Sequence, residues 1–141
     1  MKDYGSYNSL EEFVRIAQMV NYENHKALFE ATLNKSGNGM LMWMSQSAWP
    51  SMVWQTYDYY YDTNGGYFGL KQGNQPINAI WNCTNEGIVL VNYTPNDLTG
   101  LTAYVNVYDI DGNLILSESK QSDIESDSTV QLMTLQYPED A

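Results

Sequence analysis

The sequence predicts an α+β protein in two parts, helical at the start and antiparallel β at the end. Three observations carry this. Apolar residues recur at spacings of three or four through residues 13–31, and from residue 77 onward the period shortens to that of strands. Between two of the later runs, Asp109-Ile110-Asp111-Gly112-Asn113 makes a hairpin connection in which Gly112 supplies a positive φ.

The first element is a long helix. Ser9-Leu10-Glu11-Glu12 fits a capping box, Ser9 satisfying a free amide and Glu12 reaching back. Phe13, Ala17, Val20, Asn24, Leu28 and Ala31 predict one buried stripe, and Asn34-Lys35-Ser36-Gly37-Asn38-Gly39 ends the helix. Gly39-Met40-Leu41-Met42-Trp43-Met44 is unbroken and apolar, which predicts a strand buried on both faces, as in a parallel sheet. One helix and one such strand cannot close a barrel or a sheet, so neighbouring elements are expected from elsewhere.

Pro50 is placed as at the first turn of a second helix. Trp54, Tyr57, Asp58 and Tyr61 would share a face of it, the three aromatic residues as packing between the two parts. Asn64-Gly65-Gly66 is expected to break that helix, with residues 67–73 forming one further short turn.

Residues 77–81, 87–93, 101–108, 114–120 and 128–135 read as five strands. In the third, Leu101, Ala103, Val105 and Val107 alternate with Thr102, Tyr104 and Asn106, the pattern of a half-buried strand. Short antiparallel strands at this spacing suggest a sandwich of immunoglobulin type, which has about seven strands. The expectation is therefore an incomplete Ig-like sandwich over residues 77–141, following a helical segment over residues 1–76, in a chain cut at both ends.

Charge and composition narrow the function. A net charge of −11 argues against nucleic acid, which needs a basic surface, and against anionic membranes. No run of eighteen apolar residues is present to span a bilayer, and Met1-Lys2-Asp3 opens into polar residues without the apolar stretch of a secretory leader. Cys83 is alone, so no internal disulfide forms. His25 has no Cys or carboxylate neighbours in sequence with metal spacing, and Asp109-x-Asp111-Gly112 lacks the downstream Glu of a calcium loop, so no cofactor or metal is expected. Asn82-Cys83-Thr84 and Asn92-Tyr93-Thr94 match the glycosylation pattern, which is chance in a bacterial protein. The acidic run at residues 123–127 reads as a solvated loop.

One stretch carries a resemblance. Leu41-Met42-Trp43-Met44-Ser45-Gln46-Ser47-Ala48-Trp49-Pro50-Ser51-Met52-Val53-Trp54-Gln55-Thr56-Tyr57-Asp58-Tyr59-Tyr60 resembles the last barrel strand and following helix of glycoside hydrolase family 2, and within it the exo-β-D-glucosaminidases and β-mannosidases. Tyr4-Gly5 with Ser9-Leu10-Glu11-Glu12-Phe13-Val14-Arg15, Asn21-Tyr22-Glu23-Asn24 with Phe29-Glu30-Ala31, and Gly65-Gly66-Tyr67-Phe68-Gly69-Leu70-Lys71 agree with it, in the same order.

The resemblance implies a (β/α)8 barrel followed by an Ig-like domain, and retaining hydrolysis of β-glycosides by two glutamates roughly 5 Å apart. In that family both glutamates lie on earlier barrel strands. Glu11, Glu12, Glu23, Glu30, Glu86, Glu118, Glu125 and Glu139 match no catalytic motif, so no catalytic residue is assigned. Trp43 matches the family's aromatic residue at the end of the eighth strand, near the sugar, with core packing as the alternative. Gln46 and Trp49 follow in the loop that would rim the pocket, although Ser45-Gln46 departs from the Leu-Asn common there, and core packing is equally open to Trp49.

The expected function is thus a piece of a carbohydrate-active β-glycosidase without a complete active site. The alternative is a non-catalytic carbohydrate-binding or interaction module displaying Tyr and Trp. Unfinished sheet edges predict self-association with a second copy. A periplasmic or extracellular location is implied by the family alone.

Overall fold

A computed structural model describes residues 4–34, 39–51 and 55–136. The fold is mixed α+β, with α1 (Leu10–Asn34), α2 (Gly65–Gly73) and β1 (Ile77–Asn82), β2 (Gly87–Asn92), β3 (Leu98–Tyr108), β4 (Leu114–Ile124) and β5 (Ser128–Thr134). Two compact units divide at Gln75 and Pro76.

In the first unit, α1 starts as its sequence dictates. The Glu12 amide donates to the Ser9 hydroxyl at 3.2 Å, and the Glu12 carboxylate accepts from the Asn8 amide at 2.7 Å. The Tyr7 ring meets Phe13 edge-on at 5.1 Å, fixing the entry of the chain. The buried residues are Ile16, His25, Glu30 and Leu33, however, and not the expected stripe. Leu28 and Ala31 are exposed, while Phe13, Ala17 and Val20 are half-buried.

The reason is the way α2 docks. Gly65, Gly69 and Gly73 recur every four residues, and a Cβ on Gly65 or Gly69 would strike the carbonyls of Gln18 and Tyr22. A Cβ on Gly73 would lie 2.9 Å from the Lys26 carbonyl. Backbone thus lies on backbone along the Gln18, Tyr22 and Lys26 row of α1, and the apolar stripe stays open. Asn64 does not break a helix here; it caps α2, its side-chain carbonyl accepting from the Gly66 amide at 2.9 Å and the Tyr67 amide at 3.4 Å.

Two further expectations change. Residues 40–44 stand outside every β ladder of the described residues and form no strand, because strand geometry persists only where neighbouring chains satisfy its amides and carbonyls. Of the predicted second helix, residues 52–54, Trp54 among them, lie outside the described residues, as does the loop at residues 35–38. Residues 58–62 form a turn in its place. Asp58 Oδ1 accepts from the Tyr60 and Asp62 amides at 2.8 and 2.9 Å, and Tyr61 takes a φ of 67°. A short side chain that captures local amides competes directly with helix. Tyr61 is exposed, and Tyr57 packs on Tyr67 with ring centres 5.6 Å apart.

The second unit holds two antiparallel sheets, one ordered β1-β2-β5 and the other β3-β4. β2 is central and buried along its whole length. Ile88, Ala103, Leu132 and Leu135 form a core between the sheets, joined by Val105, Val107, Leu116 and Met133. β3 alternates as its sequence predicts and starts earlier, at Leu98, beyond a bulge where Gly100 has a φ of 68°. β4 likewise extends to Ile124, which is buried, so the acidic run begins on a strand. In the hairpin, Gly112 has a φ of 86°, and Asp109 accepts from the Asp111 and Asn113 amides and from the Asn113 side chain at 2.8–2.9 Å. These bonds, the Asn113 side chain first, hold the Asp109 carboxyl below its ordinary range.

Asn92 explains one sequence motif. It is fully buried, its amide donates to the Asn96 and Glu125 carbonyls at 2.9 Å each, and its oxygen accepts from Thr94. The tripeptide Asn92-Tyr93-Thr94 is therefore a structural knot that no glycan could reach. Burial, with Asp127 adding to it, pushes the neighbouring Tyr93 phenol up.

Candidate functional site

The residues singled out in sequence, Trp43, Gln46 and Trp49, lie on one strap of the first unit. Its middle is pinned: the Ser45 carbonyl accepts from the Tyr57 amide and the Thr56 hydroxyl, both at 3.0 Å. Ser47 Oγ donates to Gln55 Oε1 at 3.0 Å, and both residues are buried. Gln46 bridges to Tyr57 in parallel and is half-buried. Two tryptophans flank this anchored centre, Trp43 81% exposed and Trp49 68% exposed. The Trp43–Met44 peptide bond is cis. A polar, hydrogen-bonded anchor thus presents two indoles to solvent, the form of surface on which sugar rings stack.

Trp43 borders a cleft of about 290 Å³ with Met40, Leu41, Met42 and the Asn24, His25 and Leu28 positions of α1. His25 beneath it is buried, and its Nδ1 donates to the Asn21 carbonyl at 2.8 Å. Gln46 and Trp49 border neither this cleft nor the larger one.

That larger cleft, of about 580 Å³, runs between the open stripe of α1 (Phe13, Val14, Ala17, Val20) and a mostly polar wall that includes Ser47, Ser51, Gln55, Asp58 and Asn64. Sequence reasoning missed its polar wall. Asn64 links the parts: its amide donates to the Gln55 carbonyl, and its oxygen accepts from Asn21 at 3.2 Å. Reading Asn64 as a helix cap, since Asn precedes a run able to turn, was the available signal.

Two carboxylates here are committed to structure. Among the described residues Glu30 is the buried acid, and it pairs with Lys26 at 3.1 Å. Asp58 holds the turn before Asp62. Among the described residues no three metal-ligating side chains cluster, and no helix is long and apolar enough to cross a membrane.

Comparison with known proteins supplies what these residues alone do not. No family model matches the chain. The exo-chitosanase CsxA of Amycolatopsis orientalis matches in structure with a TM-score of 0.84 and 35% identity, over 94% of this chain and 17% of that one. The exo-β-D-glucosaminidase of the same organism is 39% identical over 126 residues, 84% of this chain and 12% of the relative. This chain is a homologue of the exo-β-D-glucosaminidases.

The exo-β-D-glucosaminidase of Hypocrea jecorina is 29% identical over 95% of the chain, and the mannosylglycoprotein endo-β-mannosidase of Lilium longiflorum is 31% identical over 77%. The resemblance to family 2 that the motifs carry therefore holds. The chain spans 12–17% of the length of these glucosaminidase relatives and structural neighbours.

Proposed function

We propose that this chain forms the end of the catalytic barrel and the adjoining Ig-like domain of a retaining β-glycosidase of the exo-glucosaminidase or mannosidase type. It supplies part of the sugar site and none of the catalytic carboxylates. The carrying observation is the likeness to CsxA over 94% of the chain, a protein solved in complex with PNP-β-D-glucosamine.

In this reading residues 1–76 close a (β/α)8 barrel and residues 77–141 begin a sandwich completed by further strands. Residues 40–44 become the last barrel strand once neighbouring strands take up their amides. Trp43 stands at the carboxyl end of that strand, where barrel enzymes build their sites, and stacks on the sugar; Gln46 and Trp49 rim the pocket. The open stripe of α1 is covered by the rest of the barrel. Alone, the chain leaves sheet edges that pair with a second copy, which sedimentation at rising concentration would register.

The test uses nitrophenyl β-glucosaminide, β-mannoside and β-galactoside. The parent protein hydrolyses the first or second, and Trp43→Ala lowers its kcat/KM by about 10–100-fold, the loss of about 1.5–3 kcal/mol of ring burial. The 141-residue chain by itself hydrolyses none. Turnover by the chain alone, or a parent whose kcat/KM is indifferent to Trp43, would overturn this assignment.

A further inference from the structure

Charge is divided unevenly between the units. Residues 76–141 hold ten acidic side chains and one basic one, Lys120, a net −9 of the total −11. Lys120 stands opposite Ala103, on the core side of its strand, and its ammonium donates to the Leu132 carbonyl of β5 at 2.7 Å. The outer side of β3 and β4 therefore carries no basic group from this unit.

That outer side is aromatic and polar. Thr102, Tyr104 and Asn106 point away from the core, facing Gln121, Ser119 and Ser117 across the ladder, and Tyr108 follows beyond a bulge, opposite the exposed Leu114. Tyr104 is 77% exposed and Tyr108 55% exposed, while Ser117 donates to Asn106 between them at 2.8 Å. The two rings stand roughly 13 Å apart along the strand, a span for several sugar units in a chain rather than for one. Carboxylates bound the row at both ends: Asp109 and Asp111 beside Tyr108, and Asp123, which accepts from the Gly100 amide at 2.8 Å.

We propose that the outer face of β3 and β4 binds a cationic amino-sugar polymer. The tyrosine rings stack on pyranose faces, and the surrounding carboxylates hold the ammonium groups. Charge complementarity selects the occupant: a face with this field repels anionic glycans and nucleic acid and attracts a polymer with one positive charge per sugar. Tyrosine faces also attract ammonium groups directly. The choice of a glucosamine polymer rests on the proposed glycosidase assignment; the surface itself does not.

The experiment titrates the 141-residue chain with three hexamers, of β-1,4-glucosamine, of its N-acetylated form and of glucose, and repeats the first with Tyr104→Ala/Tyr108→Ala. Both tyrosines are exposed, so the variant keeps its β-sheet circular dichroism. The glucosamine hexamer binds at least about tenfold tighter than the two neutral ones, the double variant loses about tenfold, and added salt weakens the complex. Equal binding of all three hexamers, no binding at all, or a double variant that binds like the parent sequence would each overturn the proposal. The nitrophenyl assay on the parent protein separates the two ideas. Turnover there without hexamer binding here removes only the polymer surface, while selective hexamer binding without parental turnover removes only the glycosidase assignment.

Discussion

The two units reach burial by opposite routes. Among the described residues eleven apolar side chains are buried, two in the first unit (Ile16 and Leu33) and nine in the second. The second unit is held by side chains interdigitating between sheets. The first is held by glycines that let two helices touch backbone to backbone, and by polar links through Asn64, Gln55 and Ser47, with Leu41, Trp43 and Trp49 left in solvent. Exposed apolar residues of this size are the form of surface that packs against another element, which is what the proposed barrel assignment requires of this unit.

The sharpest way to break this comparison is Gly69→Val. Its side chain would occupy the space of the Tyr22 carbonyl, and because backbone cannot yield as a flexible side chain does, the cost is about 3 kcal/mol, the upper end for overpacking. Hydrogen exchange should show α1 and α2 losing protection while the strand amides keep theirs. Unchanged protection in α1 would mean that the glycine contacts do not hold the first unit.

Next in size is Asn92→Ala, which strands the Asn96 and Glu125 carbonyls and is expected to cost about 2–3 kcal/mol. The half-buried Asn82, whose oxygen accepts from the Thr84 amide at 3.1 Å in an exposed turn, gives the contrast: Asn82→Ala should cost well under about 1 kcal/mol. Equal shifts in denaturant midpoint for the two would remove the distinction between knot and turn.

Asn64→Ala removes the cap of α2 and should cost about 1–2 kcal/mol, read by thermal unfolding at the helical signal. Asn64→Asp keeps the capping oxygen but sets its second oxygen against the Gln55 carbonyl, so it should recover only part of that loss.

The smallest effect is at the hairpin tip. Asp109 has a lowered carboxyl pKa in the folded state, so its contribution is present above the ordinary carboxylate value and fades as pH falls through the folded one. Asn113→Ala should raise the Asp109 pKa, measured by side-chain NMR titration. No change would show that the backbone amides alone set it.

Much of the second unit was legible because its signals are local. All five strands form where the sequence marks them, β3 and β4 running a few residues longer, and the Asp109 to Asn113 loop forms the hairpin that Gly112 permits. The start of α1 was equally local, Ser9 and Glu12 meeting amides within four residues. Less legible was the site. Trp43 borders a cleft, but Gln46 faces Tyr57 and Trp49 stands apart from both clefts, relations set by chain contacts ten or more residues away.

By itself, then, the sequence determined where α1 and the five strands of the second unit lie, where the hairpin turns, the acidity of the second unit and the kinship with β-glycosidases. Tertiary structure alone decided which face of α1 is covered, that residues 40–44 stand outside the ladders, and that Asp58 makes a turn in place of a helix. The physical reason is range. Periodicity and capping act within a few residues of the chain, whereas burial and ladder pairing depend on which distant backbone arrives, and three glycines on α2 brought that backbone to the row of α1 that its apolar pattern did not mark.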